Sequence, residues 1–275
     1  MNMPKKTRQR PDISLLIPTR GRREMLLDSV TSLIDNAAHA ERLEWLFGFD
    51  EDDTDTYTWF NENVEPVLTQ SRGTFSVMAF EPLGYENLHQ YVNSLAEAAE
   101  GRWFVFWNDD AVMRSQNWDS TIMSHDGRFV LQAFDTHNKH PYSIFPILPR
   151  EWFEVIGHLS GHQLNDAWVS QIAWMLDIVE RLDVKVDHER FDLSGKNNDE
   201  TYQKRRIYEG DLNDPKDFNH ANFFRQRLEE AEKLANHLRT RGDDITVWEE
   251  IKAGKRDPWE KMLAFDVNKQ MRRLR

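Results

Sequence analysis

Apolar positions along the chain alternate between two periods. Residues 13–18, ISLLIP, form a continuous apolar run of the kind buried on both faces of a parallel sheet, and Pro18 ends it. In the following RREMLLDSVTSLIDN, Leu26, Val30, Leu33 and Ala37 recur at helical spacing with a polar face opposite. LEWLFGFD (43–50) predicts a second strand and TFSVMAF (74–80) a third. ENLHQYVNSLAEAAEG then carries Leu88, Val92, Leu95 and Ala99 as a stripe, with Gly101 where a C-terminal cap belongs. WFVFW (103–107) and RFVLQAF (128–134) predict two more strands.

Strands alternating with helices at this spacing predict βαβ units and a mostly parallel sheet. In such sheets ligands bind at the carboxyl ends of the strands. Three predicted strands end on polar or charged groups there: Pro18-Thr19-Arg20, Asp50 to Asp53, and Asn108-Asp109-Asp110. Further on, a helix is expected within SGHQLNDAWVSQIAWMLDIVERL, its apolar face running from Trp168 through Ile172 to Val179. A short strand VKVDH (184–188) and a polar loop, ERFDLSGKNNDETYQKRR, follow. The composition then turns helical and charged, and Phe224, Leu228, Ala231, Leu234 and Leu238 share one stripe. The division expected is a catalytic-sized α/β domain over 1–212 and a helical extension over 213–275. That stripe should pack on the rest of the chain or on a second copy.

Charge and composition narrow the chemistry. The net charge of −12 opposes non-specific binding to nucleic acid or anionic membrane, and the absence of cysteine excludes disulfides, thiolate zinc sites and thiol nucleophiles. The basic opening MNMPKKTRQRPD leads into only a short apolar stretch, and no apolar run approaches the roughly 20 residues needed to span a bilayer. A cytoplasmic protein without a membrane span is the expectation.

The ordered series of strand, acidic turn, Asn/Gly helix and acidic turn resembles the family 2-like glycosyltransferases of the GT-A fold over about residues 13–200. ISLLIPTRGR is similar to their opening strand and turn. FDEDDTDT stands where they carry Asp-Asp-Gly-Ser-Thr-Asp, departing at Glu51, Asp52 and Asp53. Asn93, Ala99 and Gly101, with the strand to Asp110, match the helix end and the Asp-x-Asp strand, Asn108 replacing the first aspartate. The resemblance implies a nucleotide-diphospho-sugar donor, with a UDP-sugar as first choice, and Mn²⁺ or Mg²⁺ acting on the diphosphate.

Carried over residue by residue, the resemblance makes Asp110 the first metal ligand and His188, ending VKVDH, the second. Pro18, Thr19, Arg20 and Asp50 line the nucleobase and ribose pocket, Asn108 and Asp109 face ribose, water or metal, and Lys196 is the counter-charge to the diphosphate. Asp166 in LNDAW is the general base of an inverting transfer; the alternative is a helix N-cap. Asn165 stands in the place of a frequent second acid. For Asp52, Asp53 and Asp55 a solvated turn is the favoured reading. Trp152, Phe145 and Tyr142 are acceptor-facing candidates, Trp168 is read as core, and His158 and His162 flank the same loop. Two other readings remain open: a nucleotidyltransferase, against which PTRGRR offers a single glycine, and a non-catalytic nucleotide or carbohydrate module. The acceptor hydroxyl belongs to a glycan, a protein or a hydroxymethylated DNA base.

Overall fold

The computed structural model describes residues 10–127, 129–136, 144–189, 203, 211 and 213–258. Strand β1 (Ile13–Thr19), helix α1 (Arg23–Asn36), β2 (Leu43–Asp50), α2 (Thr54–Asn63), α3 (Glu65–Ser71) and β3 (Thr74–Phe80) open the chain. Helix α4 (Leu88–Ala98), β4 (Trp103–Phe106), β5 (Ala111–Met113), α5 (Trp118–Met123), β6 (Val130–Asp135) and β7 (Pro146–Pro149) follow. Helices α6 (Arg150–Ile156) and α7 (Asn165–Leu176), strand β8 (Val179–His188), α8 (Ala221–Arg241) and α9 (Thr246–Lys252) complete the described residues.

One eight-stranded sheet has the order β3-β2-β1-β4-β7-β6-β8-β5. Its first four strands are mutually parallel, with Ile13 beside Leu43 and Trp103. β1, β2 and β4 are apolar on both faces because helices cover both, and every residue of β2 is buried, Glu44 and Asp50 included. The other half is mixed: β7 runs antiparallel to β4 and β6, and β5 antiparallel to β8. The expectation of a mostly parallel sheet holds: four of the seven strand pairings are parallel, β6–β8 among them, and the antiparallel ones all involve the short strands β5 and β7.

Local chemistry corrects several other expectations. Gly101 does not cap α4; the C-cap is Ala99, in extended conformation. Gly101 is required by close approach, since a Cβ there would meet Ser14 Oγ at 2.4 Å and Ser14 N at 2.7 Å. Its N–H donates to Ser14 Oγ at 2.8 Å, and the buried Glu44 accepts from Glu100 N–H at 2.7 Å, tying the start of β4 to β1 and β2. Val179 belongs to β8, not to the stripe of α7, because Asp177 takes a left-handed φ of 54° and ends the helix. Asp53 does more than face solvent: it caps α2 by accepting from Thr56 N–H and also accepts from Gly21 N–H at 2.8 Å.

Helix α8 packs against α6 and α7, and Ala231, Leu234, Ala235, Leu238 and Trp248 join the core cluster that contains Trp152 and Trp168. Phe224 and Leu228 are only half-buried. The buried face also holds charge: Glu230 Oε2 accepts from Trp168 Nε1 at 2.8 Å, and the Arg227 guanidinium lies 4.0 Å from the Phe218 ring centroid and 4.9 Å from that of Trp168. Among the described residues no helix is long and apolar enough to cross a membrane.

His89 on α4 has its pKa lowered from 6.5 to about 4 by burial and by the charges of His162 and His158. A histidine whose folded pKa is depressed contributes stability that is present above its unfolded value and lost as pH falls toward the folded one. Urea unfolding of the protein minus that of His89→Leu should therefore decline between pH 6.5 and about 4.

Candidate functional site

Two arginines just past β1, Arg20 and Arg22, are sent in different directions by the glycine between them. Gly21, at φ 68°, turns the chain between Thr19 and α1 in a conformation that a side chain would strain. Because β1 lies between β2 and β4, the turn delivers Arg20 to the carboxylates after β2 and Arg22 to those after β4. Arg20 Nη1 donates to Asp50 Oδ2 at 2.8 Å and Nη2 to Asp52 Oδ2 at 2.9 Å. The Tyr91 hydroxyl donates to Asp50 Oδ1, so each oxygen of Asp50 is engaged by the protein. Burial raises the Tyr91 phenol further, and the hydrogen bond to Asp50 adds to it.

Asp109 is held from two sides: Thr19 Oγ1 donates to its Oδ2 at 2.7 Å and Arg22 Nη1 to its Oδ1 at 2.7 Å. Arg22 Nη1 also reaches Asp110 Oδ2 at 3.2 Å. Desolvation pushes the Asp109 carboxyl up against the pull of Arg22, and the neighbouring Asp110 charge adds to the rise. Burial acts on Asp110 in the same direction, but there the hydrogen bond and charge of His188, with Arg22, prevail and hold its carboxyl below the ordinary range.

His188 reaches Asp110 by strand pairing. β5 begins at Ala111, which lies opposite His188 in the antiparallel β5–β8 ladder, and Glu189 N–H donates to the Asp110 carbonyl at 2.9 Å. The His188 Nε2 is thereby placed 3.1 Å from Asp110 Oδ1 and 3.2 Å from Asn108 Nδ2. Its Nδ1 lies 3.8 Å from Asp135 Oδ2, and the Phe145 ring packs 5.0 Å from the imidazole.

Asp166 lies in the first turn of α7, whose N-cap is Leu164 without a side-chain cap bond. The residue is therefore not the cap; its Oδ1 accepts from the adjacent Ala167 N–H at 2.9 Å. The loop before α7 is pinned by Asn93, whose Oδ1 accepts from Leu159 N–H at 2.9 Å and Ser160 N–H at 3.2 Å while Nδ2 donates to the Ser160 carbonyl at 2.8 Å. His162 accepts from Leu164 N–H through Nδ1 at 3.2 Å, so its Nε2 carries the proton and donates to the Lys216 carbonyl at 2.9 Å. Removing the Asn93 carboxamide strands three backbone groups, and Asn93→Ala is expected to lower the unfolding free energy by about 2–3 kcal/mol in urea titrations.

A cavity of about 490 Å³ lies at the carboxyl ends of β1, β2 and β4. Pro18, Thr19, Arg20 and Asp50 line it, as do Asn108, Asp109, Asp110, His188 and Asp166. Lys196, Tyr142 and the loop residues Asp199, Thr201 and Tyr202 lie outside the described residues. Phe145 and Trp152, proposed to meet an acceptor, are buried in the core at 1% and 2% exposure and do not border the cavity. Neither does Trp168, nor do His158, whose Nε2 is 3.1 Å from Glu230 Oε1, and His162. Arg22, Tyr91 and Gln163 border the cavity and were missed in the sequence. The alternation of arginines around Gly21 was the available signal for Arg22.

Asp110 and His188 present hard oxygen and imidazole nitrogen donors in contact, a set that suits Mn²⁺ or Mg²⁺. Among the described residues no group of three or more His, Asp or Glu is arranged to hold a metal by itself.

No family model matches the chain, and no curated protein matches it. Solved structures do. Mannosyltransferase PcManGT from Pyrobaculum calidifontis, in complex with GDP-Man and Mn²⁺, superposes with a TM-score of 0.55 at 10% identity, over 90% of this chain and 80% of that one. S. aureus TarS 1–349, in complex with UDP-GlcNAc, gives 0.54 at 12% identity over 81% of this chain. The chain spans 66% of that TarS fragment. A large, mostly parallel sheet flanked by helices is the architecture shared with these glycosyltransferases, and the fold of this protein is GT-A-like.

Proposed function

We propose that this protein transfers a sugar from a nucleotide-diphospho-sugar to an acceptor hydroxyl, inverting the anomeric carbon. The observation that carries this reading is convergence: nine side chains from five separate segments border one cavity on a GT-A-like fold. Bound ligands in the similar structures, UDP-GlcNAc in one and GDP-Man with Mn²⁺ in the other, support a nucleotide-sugar donor. A UDP-sugar is the first choice and a GDP-sugar the comparison.

In this reading Pro18, Thr19 and Arg20 receive the nucleoside. Asp50, held by Tyr91 and Arg20, fixes the shape of that end. Asp110 and His188 would hold Mn²⁺ or Mg²⁺, which supplies Lewis-acid neutralisation of the diphosphate leaving group. Arg22 keeps Asp109 and Asp110 together against their mutual repulsion, and the Asn108 side chain lies beside the imidazole. Lys196 is proposed as a further counter-charge. Asp166 accepts the proton of the acceptor hydroxyl as its oxygen bonds to the anomeric carbon and the carbon–diphosphate bond breaks. Its half-buried place in the first turn of a helix favours the ionised carboxylate that a base needs.

A panel of UDP-Glc, UDP-GlcNAc and GDP-Man with Mn²⁺, read by release of nucleoside diphosphate, tests the proposal. Release with one donor supports it, and a screen of glycan, protein and hydroxymethylated DNA then finds the acceptor. Pyrophosphate release from a nucleoside triphosphate with a sugar phosphate would favour nucleotidyl transfer. Donor binding without turnover across that acceptor screen would favour a binding module.

A further inference from the structure

One wall of the cavity carries polar atoms that the protein leaves unsatisfied. Gln163 is 2% exposed and lines the cavity, and neither its Oε1 nor its Nε2 has a hydrogen-bond partner. Two residues on, Asn165 is 6% exposed and lines the same cavity, with its Oδ1 equally unpartnered. Their surroundings are not loose. Asn93 pins residues 159 and 160, Ser160 Oγ donates to the His162 carbonyl at 2.8 Å, and His162 receives the Leu164 N–H. Gly161 packs so closely that a Cβ would meet the Trp168 ring at 2.9 Å. The backbone of this loop is tied down while its buried carboxamides are left open. Buried polar groups in folded proteins nearly always have partners, so open ones that line a cavity call for a partner from outside the chain.

We propose that Gln163 and Asn165 form a hydroxyl-reading subsite for the donor sugar and set which sugar is accepted. This rests on the glycosyl-transfer reading and deepens it. Two open carbonyl oxygens demand donors and one open amide nitrogen demands an acceptor. A phosphate, proton-poor at neutral pH, offers nothing to the oxygens, and a cation offers nothing to the N–H groups. A neutral ring bearing neighbouring hydroxyls satisfies all three atoms at once. Asp166 follows Asn165 directly, so a ring held here lies beside the proposed base. A site built to hydrogen-bond a hydroxyl rejects the analogue lacking it strongly, because its own buried groups are then unpaired.

The test is Gln163→Leu, which keeps the bulk and removes the polar atoms. Gln171→Leu is the control, since Gln171 is a fully buried carboxamide, also unpartnered, that does not border the cavity. With Mn²⁺ present, calorimetry on the full chain compares UDP and GDP with UDP-Glc, UDP-GlcNAc and GDP-Man, and with deoxy analogues of whichever sugar binds. Gln163→Leu should bind the nucleoside diphosphate as the parent does, lose about tenfold to a hundredfold in affinity for the diphospho-sugar, and stop distinguishing it from the deoxy analogue. Its melting temperature without ligand should be equal or higher, because an apolar side chain replaces unsatisfied polar atoms. Asn165→Ala should shift sugar affinity in the same direction, and Gln171→Leu should leave it unchanged.

A Gln163→Leu protein that binds diphospho-sugar like the parent overturns the subsite. So does an equal loss for nucleoside diphosphate and diphospho-sugar, a lowered melting temperature, or the same loss in Gln171→Leu. A parent protein that binds none of the nucleotides overturns the glycosyl-transfer reading itself, and the subsite with it.

Discussion

Asp166→Asn is expected to lower turnover by about a hundredfold to ten-thousandfold, the usual contribution of a positioned general base, while donor affinity is retained. The substitution is clean because it separates proton transfer from helix structure. Leu164, not Asp166, is the N-cap of α7, and the hydrogen bond that Ala167 N–H donates to Asp166 Oδ1 can be accepted equally by an asparagine oxygen. Stability should therefore be unchanged. Single-turnover kinetics with the best donor and acceptor, alongside calorimetry of donor binding, reads the two quantities apart. Full turnover in Asp166→Asn would remove Asp166 from the chemistry.

The largest effect on stability is expected from Arg22. Its guanidinium, at 11% side-chain exposure, bridges Asp109 and Asp110 at 5% and 4%. Taking the cation from a buried ion cluster leaves uncompensated charge, and Arg22→Met should cost about 3–5 kcal/mol at neutral pH. The sign with pH follows from the carboxylates. Without Arg22 both carboxyls rise, so the deficit is full where they are ionised in the unfolded chain and shrinks as pH falls through their raised folded values. In the parent, by contrast, the lowered Asp110 gives stability that persists above its ordinary value near 3.8 and is lost only as pH falls through the lower folded one. Urea unfolding at pH 7 and pH 5 measures the narrowing. If Mn²⁺ binds Asp110, it should raise the melting temperature of Arg22→Met more than that of the parent, since it restores the missing positive charge.

Much of the site was legible in the sequence because a parallel sheet imposes a rule that local pattern reveals. Apolar runs such as 13–18 and 43–50 can only be central strands, and whatever polar residue ends them must emerge at one edge. That suffices to bring Thr19, Asp50 and Asp109 together. Arg22 was hidden because its direction depends on the backbone of Gly21 and on β1 having β2 on one side and β4 on the other, a fact of topology. Strand β5 was hidden because three residues carry no period, although it is this strand that registers His188 against Asp110. Gly101 was misread because a glycine demanded by close approach looks, in sequence, like one demanded by a turn. Gln163 gave no signal at all: an isolated polar residue before a helix is ordinary until its burial is known.

The Glu230–Trp168 bond and the Arg227 stack on Phe218 and Trp168 carry a consequence for protein engineering. The helix that bears Asp166 rests on α8 through buried charge as well as apolar packing, and that charge is tolerable only with its aromatic and histidine neighbours in place. A chimera that grafts another C-terminal segment onto this chain would inherit Trp168 without its acceptor and His158 without its carboxylate neighbour. Retargeting by segment exchange would therefore have to transplant α7 and α8 as one block, with the loop that carries Gln163 travelling alongside.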